Sequence, residues 1–268
     1  MNTITNHRHL LTVLAAAVIA GPALSGSAAR GNNVVFTVDS SKSSLQLSID
    51  TPSGVPVTSP QFPGSDTVSL SGTQNVDISS STIAFLSTGN VQFGVQPSAV
   101  SPGPGGVFPG SQTGNYGLLA SIPGIVGGPG PGNTGLIAGH GFVGNISSII
   151  LPLVGTSFNA TGLTISLFAG VADVNVTLLG SPVQATINLP GGGLNGESGG
   201  TLTQSGGLYT LTVPILFQGD LTVSGVPLVE TYTGQLVATA RVPEPATWVL
   251  AAVGGLAVIA CRRVHRPQ

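Results

Sequence analysis

Gly196-Glu197-Ser198-Gly199-Gly200 matches the loose G-x-S-x-G pattern of a serine nucleophile, and His140 and Asp173 precede it in the chain order His, Asp, Ser. Such a trio would perform acyl transfer: the histidine takes the serine proton, the carboxylate holds the imidazole, and backbone N–H groups receive the oxyanion. That chemistry needs Ser198 on a strained strand-to-helix elbow or beside a preformed oxyanion loop. Ser198 sits instead in a run of glycines, the residues that turn a chain through positive φ, and His140 stands at the margin of a stretch dense in Gly and Pro. The segment reads as a hairpin loop, and no catalytic residue is assigned.

The other chemistries fare no better. His140 is the only histidine outside the two ends of the chain, so a histidine-based metal site is not on offer within one chain. Asp39, Asp50, Asp66, Asp77, Asp173 and Asp220 are scattered, with no D-x-D-x-D-G loop. They read as solvated turn carboxylates, and neither metal nor cofactor is expected. The runs 103–110 and 127–135 carry prolines where a phosphate cradle needs free N–H groups, and no Lys follows them. Asn145, Asn159 and Asn175 fit N-x-[ST] but read as strand residues. Of the seven Lys and Arg, only Lys42 and Arg241 lie between 31 and 242, against every acid except Glu244. A phosphate backbone requires clustered cations to displace its counterions, so nucleic acid is not a partner. The only Trp, Trp248, lies outside this region, which leaves no Trp platform for a sugar.

The elements that would have to position any site are strands. The 268 residues include 40 Gly and 20 Pro, which disfavours long helices, and only 6% are charged, far below the ordinary soluble domain. From 31 to 96 the apolar residues alternate with polar ones: Val34, Phe36, Val38; Leu45, Leu47, Ile49; Val68, Leu70; Val76, Ile78; Ile83, Phe85; Val91, Phe93, Val95. The alternation returns at Leu163, Ile165, Leu167 and continues through Val174, Val176, Leu178; Val183 to Leu189; Tyr209 to Phe217; Leu221, Val223; and Leu236 to Val242. Period two marks half-buried antiparallel strands, so the expected fold is all-β, a sandwich or barrel. Residues 97–135 hold seven prolines and twelve glycines and read as a long loop or linker. Residues 30–241 thus form an exported β-rich region, expected to be one domain, although the pattern equally allows two small ones. The lone Cys261 makes no intrachain disulfide.

The ends carry addresses. His7-Arg8-His9, the apolar run Leu10 to Ala20 and the small residues Ser27, Ala28 and Ala29 read as a signal peptide, 1–29, cut by signal peptidase near Ala29. No cysteine follows the apolar run, so no lipoprotein is formed. At the other end Val242-Pro243-Glu244-Pro245 precedes Ala246 to Cys261, a run without charge, and then Arg262-Arg263-Val264-His265-Arg266. As a single transmembrane helix the run spans about 24 Å, enough to cross with snorkelling arginines. Arg262, Arg263 and Arg266 stop transfer and hold that end in the cytoplasm, which places residues 31–242 outside.

This tail, residues 242–268, resembles the PEP-CTERM sorting signal of Gram-negative bacteria in all three parts and their order. The resemblance implies recognition of Pro243, Glu244 and Pro245 by an exosortase, transient anchoring in the inner membrane, and a surface or matrix destination tied to exopolysaccharide and biofilm. Independently, Pro243 and Pro245 fix their φ angles and disfavour helix for the residue before each, so the segment reaches a protease-like cleft already extended. A slighter resemblance concerns the ectodomain: Phe36-Thr37-Val38-Asp39 and Gly219 to Val226 are similar to the opening and closing strands of the YceI-like lipid-binding barrels. It implies a cavity for an apolar ligand. The expected function is a noncatalytic, exosortase-sorted surface or matrix protein; the alternative is a β-barrel module binding a small apolar or saccharide ligand.

Overall fold

The structure, a computed structural model, describes residues 32–94, 114–120, 135–178, 181–188, 191–223 and 225–241, without the side chains of 175–178, 181–185 and 223. The signal peptide with Ser27, Ala28 and Ala29, the motif Pro243, Glu244 and Pro245, the membrane run, Arg262, Arg263 and Arg266, and segments 97–113 and 121–134 lie outside the described residues.

Fifteen antiparallel strands make up the described chain: β1 (Asn32–Val38), β2 (Ser44–Asp50), β3 (Thr58–Pro60), β4 (Thr67–Ile78), β5 (Thr82–Phe93), β6 (Tyr116–Ala120), β7 (Gly135–Ser148), β8 (Leu151–Val154), β9 (Ser157–Asn159), β10 (Leu163–Leu178), β11 (Ser181–Asn188), β12 (Gly191–Leu194), β13 (Gly199–Ser205), β14 (Leu208–Val223) and β15 (Val226–Arg241). One 3₁₀ turn, Ala160–Gly162, interrupts them; Asn159 caps it by accepting from Thr161 N. The all-β expectation holds. The strand faces follow from alternation: β1 buries Val34, Phe36 and Val38 and exposes the residues between.

The hydrogen-bonded neighbours close into a circuit, β4–β5–β8–β9–β13–β14–β15–β1 and back to β4. Following the registers round this circuit returns to β15 displaced by about ten residues, the stagger of an eight-strand barrel with tilted strands. Of the two expected architectures, the described strands form the barrel. β2 shares the β1 position beside β15 and β4. From β5 a wing of β7, β10 and β11 leaves the circuit. Gly72, at φ +102°, lies next to a register shift between β4 and β5; a Cβ there would run into the Asn90 carbonyl, so glycine lets the two strands cross closely.

Within the stretch expected to be loop, Tyr116–Ala120 is a strand between β3 and β7, with Tyr116 and Leu118 buried in the core. Breaker density averages over the stretch and hides five residues that carry their own anchors. Tyr116 Oη donates to Leu45 O at 3.2 Å, and Gly117 N donates to Ser65 O at 2.8 Å while Ser65 Oγ donates back to Gly117 O at 2.6 Å. The core continues through stacked and edge-on rings: Phe217 on Tyr232 with centroids 4.5 Å apart, Phe93 on Phe142 at 5.4 Å, and Tyr116 edge-on to Phe142 at 5.5 Å.

Candidate functional site

Two of the three residues of the apparent acyl-transfer trio do meet. His140 on β7 lies across from β10, and its Nε2 is 2.8 Å from Asp173 Oδ2; Thr186 on β11 donates to the other oxygen of Asp173 at 2.7 Å. The row crosses three neighbouring strands of the wing on its half-buried outer face. Ser198 stays away. Its carbonyl accepts from Ala160 N, just before β10 begins, whereas His140 pairs with Val171 far along that strand. At about 3.3 Å per residue the two places are roughly 25 Å apart along β10, so Ser198 does not face the imidazole. Among the described residues no three His, Cys, Asp or Glu side chains come together. The sequon residues are structural: Asn159 Oδ1 takes Thr161 N and Oγ1, and Asn145 Nδ2 donates to Ser87 O. Asp39 sits in its turn as expected, accepting from Ser41 N and Oγ and from Lys42, which hold its carboxyl below the ordinary range.

The polar groups that sequence reading missed lie inside. Gln74 on β4 is fully buried and its amide is well partnered: Nε2 shares its two hydrogens among the carbonyls of Asn75, Leu86 and Ile146, and Oε1 accepts from Ile146 N at 3.1 Å. It latches the barrel to the wing. Asn195 plays the same part between the 3₁₀ turn and β14, donating to Ala160 O and Pro214 O and accepting from Leu216 N. A polar residue at an inward position of an alternating strand was the available signal for Gln74.

Glu230 carries the same signal, one acid in the inward series Leu228, Glu230, Tyr232 of β15. It is 6% exposed and stands between Gly219 of β14 and Ile49 of β2. A Cβ at 219 would lie 2.6 Å from Oε1, so the glycine makes room for the carboxyl. Tyr232 Oη donates to Oε2 at 3.4 Å, too long to offset the lost hydration. Burial pushes the Glu230 pKa up to about 7, with the tyrosine bond pulling weakly the other way. Between the unfolded value of 4.5 and about 7 the folded protein holds the extra proton, so stability falls as pH rises through that window and stays reduced above it. The difference amounts to about 3 kcal/mol at pH 8. Glu230→Gln is expected to recover about 2–3 kcal/mol at pH 8 and nearly nothing at pH 4, read by urea unfolding at both pH values. Equal effects at the two would show that the carboxyl is not held protonated.

Residues 241–264 match the family model described as the PEP-CTERM protein-sorting motif. No curated protein matches the chain, and no solved structure does. The likeness to YceI-like barrels therefore has no match to support it. Among the described residues no helix is long and apolar enough to cross a membrane.

Proposed function

We propose, for a chain that carries the PEP-CTERM motif and is thereby exported and sorted by an exosortase, that the β-barrel is a noncatalytic component of the cell surface or extracellular matrix, working beside exopolysaccharide. The observation that carries the proposal is the join between the two parts. The motif match begins at Arg241, the last residue of β15, so a cut near Pro243-Glu244-Pro245 severs the tail without breaking a single ladder hydrogen bond of the barrel. The released domain keeps its whole fold.

The faces of the barrel support a structural role. Outward positions of β4 are almost all Ser, Thr and Asn, and those of β14 and β15 include Thr210, Thr212, Gln218, Thr231, Thr233, Gln235 and Thr239, suited to extended polar contact. Inside, the fully buried Tyr116, Tyr232, Phe36, Phe85 and Phe142 occupy the space that a module for a small apolar ligand would have to keep open. The orientation of the membrane run, signal peptidase as the first processing enzyme and the inner membrane as a transient anchor belong to the same reading.

Intact mass spectrometry of the protein from the native envelope and medium tests it. The expected species begins near Arg30 and ends near Pro245. A species that still carries Arg262 to Gln268 in both fractions would mean a permanent anchor, and the proposal would fall.

A further inference from the structure

The registers gather the exit of the chain and four of the eight exposed large apolar side chains among the described residues at one end of the barrel. β15 ends at Arg241, opposite Leu208, where β14 begins, and Leu208 lies opposite Ser205, the end of β13. Round the same rim, β8 and β9 turn at Gly155-Thr156 after Val154 pairs with Ser157, and β4 ends at Ile78 opposite Asn32 and Ile83. Val154 is 76% exposed, Leu208 is also exposed, and Ile149 and Ile150, where β7 hands over to β8, are 77% and 70% exposed. Val35, Val55, Phe168 and Leu194 are exposed elsewhere, but three of the four side chains that are 70% exposed or more, Ile149, Ile150 and Val154, fall within six residues of one another here. The far end differs: Asp50 and Asp220 both stand beside Val229 there.

The occupant of the apolar end follows from what is attached to it. Four residues, Val242 to Pro245, separate Arg241 from the uncharged run that starts at Ala246. Fully extended, the five steps from Arg241 to Ala246 reach at most about 18 Å. While the run lies in the membrane, the Arg241 end is held within that distance of the interface, and the acidic end points away. We infer that this end of the barrel is a membrane-seating surface: Ile149, Ile150, Val154 and Leu208 enter the outer interface of the phospholipid bilayer, with Arg241 at the headgroup level. Seating fixes the height of the domain and holds Pro243-Glu244-Pro245 at the interface until it is cut. The inference rests on the reading of 246–261 as a membrane-spanning run, and goes beyond it by assigning a bilayer contact to the barrel itself.

Full-length protein reconstituted in phosphatidylethanolamine–phosphatidylglycerol vesicles, with spin-labelled lipid as quencher, separates the two. Trp248, the only tryptophan, reports the tail. A fluorophore is placed by Val154→Cys or, at the far end, by Asp220→Cys, each with Cys261→Ser. The expected result is quenching at 154 at least about threefold above that at 220, lost when Ile149→Ser and Ile150→Ser are added, with Trp248 quenched throughout. Quenched Trp248 with equal signals at 154 and 220 overturns the seating surface and leaves the tail reading intact. Trp248 unquenched overturns the tail reading and the seating surface together. All substituted positions apart from Cys261 are outward-facing, and far-ultraviolet circular dichroism checks that each variant keeps its strands.

Discussion

A precursor in which Pro243, Glu244 and Pro245 are all alanine is expected to remain full length in the inner membrane, with the released form reduced by a factor on the order of 100. In sequence the motif lies between the end of β15 and an uncharged apolar run, Ala246 to Cys261. Proline costs about 3 kcal/mol in a helix interior relative to alanine, so the two prolines oppose helix across the cleavage segment whatever its neighbours adopt. Alanine removes that barrier. The segment then gains helical conformations that a transpeptidase cleft cannot thread, and the charge of Glu244 at the interface is lost with it. Glu244→Gln alone separates the two causes, since it leaves both prolines in place. Pulse-chase labelling followed by membrane fractionation and intact mass reads the outcome. Maturation of the triple variant at the native rate would show that the matched motif is not the processing signal in this chain.

Gln74→Leu is expected to destabilise the exported domain by about 3–5 kcal/mol. The side chain lies within hydrogen-bond distance of four backbone groups on three strands, and the two contacts to Ile146 are buried. Leucine has a similar volume but leaves Ile146 N–H and the carbonyl of Ile146 without partners where water does not reach. It also presses branched methyl groups toward Gly89, whose missing Cβ makes the space that the amide occupies: a Cβ there would be 2.7 Å from Gln74 Oε1. For a domain of this size the loss lowers Tm by about 10 °C or more. Asn75→Ala, next in sequence but facing out to Thr88, is expected to cost less than about 1 kcal/mol. Similar melting of the two variants would mean that the barrel and the wing are not joined through Gln74.

Both predictions come from places where local sequence speaks unevenly. The sorting motif was legible because it is local in every respect: its prolines act on their own φ angles and its neighbours are defined by runs of like residues. Most of β1, β2, β4, β5 and β14 was legible for a similar reason, since a strand with one dry face must alternate. β15 was only half visible. Its visible part, Leu236 to Ala240, alternates aliphatic residues, whereas the earlier part puts Glu230 and Gly234 in the inward series and so breaks the apolar alternation. β6 was hidden in a different way, by flanking glycines and prolines that define its ends without entering its core contacts.

The amino-acid order by itself determined the strand-forming periodicity, the absence of clustered cations and the recognisable tail, because each depends on residues within a few positions of one another. Closure of the strands into a barrel, the meeting of His140 with Asp173 without Ser198, the burial of Glu230 against Gly219 and the gathering of Ile149, Ile150, Val154 and Leu208 at the Arg241 end were decided by tertiary structure alone. Those features rest on pairing between segments tens to hundreds of residues apart. The register of such a pairing is set by the sum of many weak packing and hydrogen-bonding choices over the whole sheet, and no single stretch of chain contains that sum.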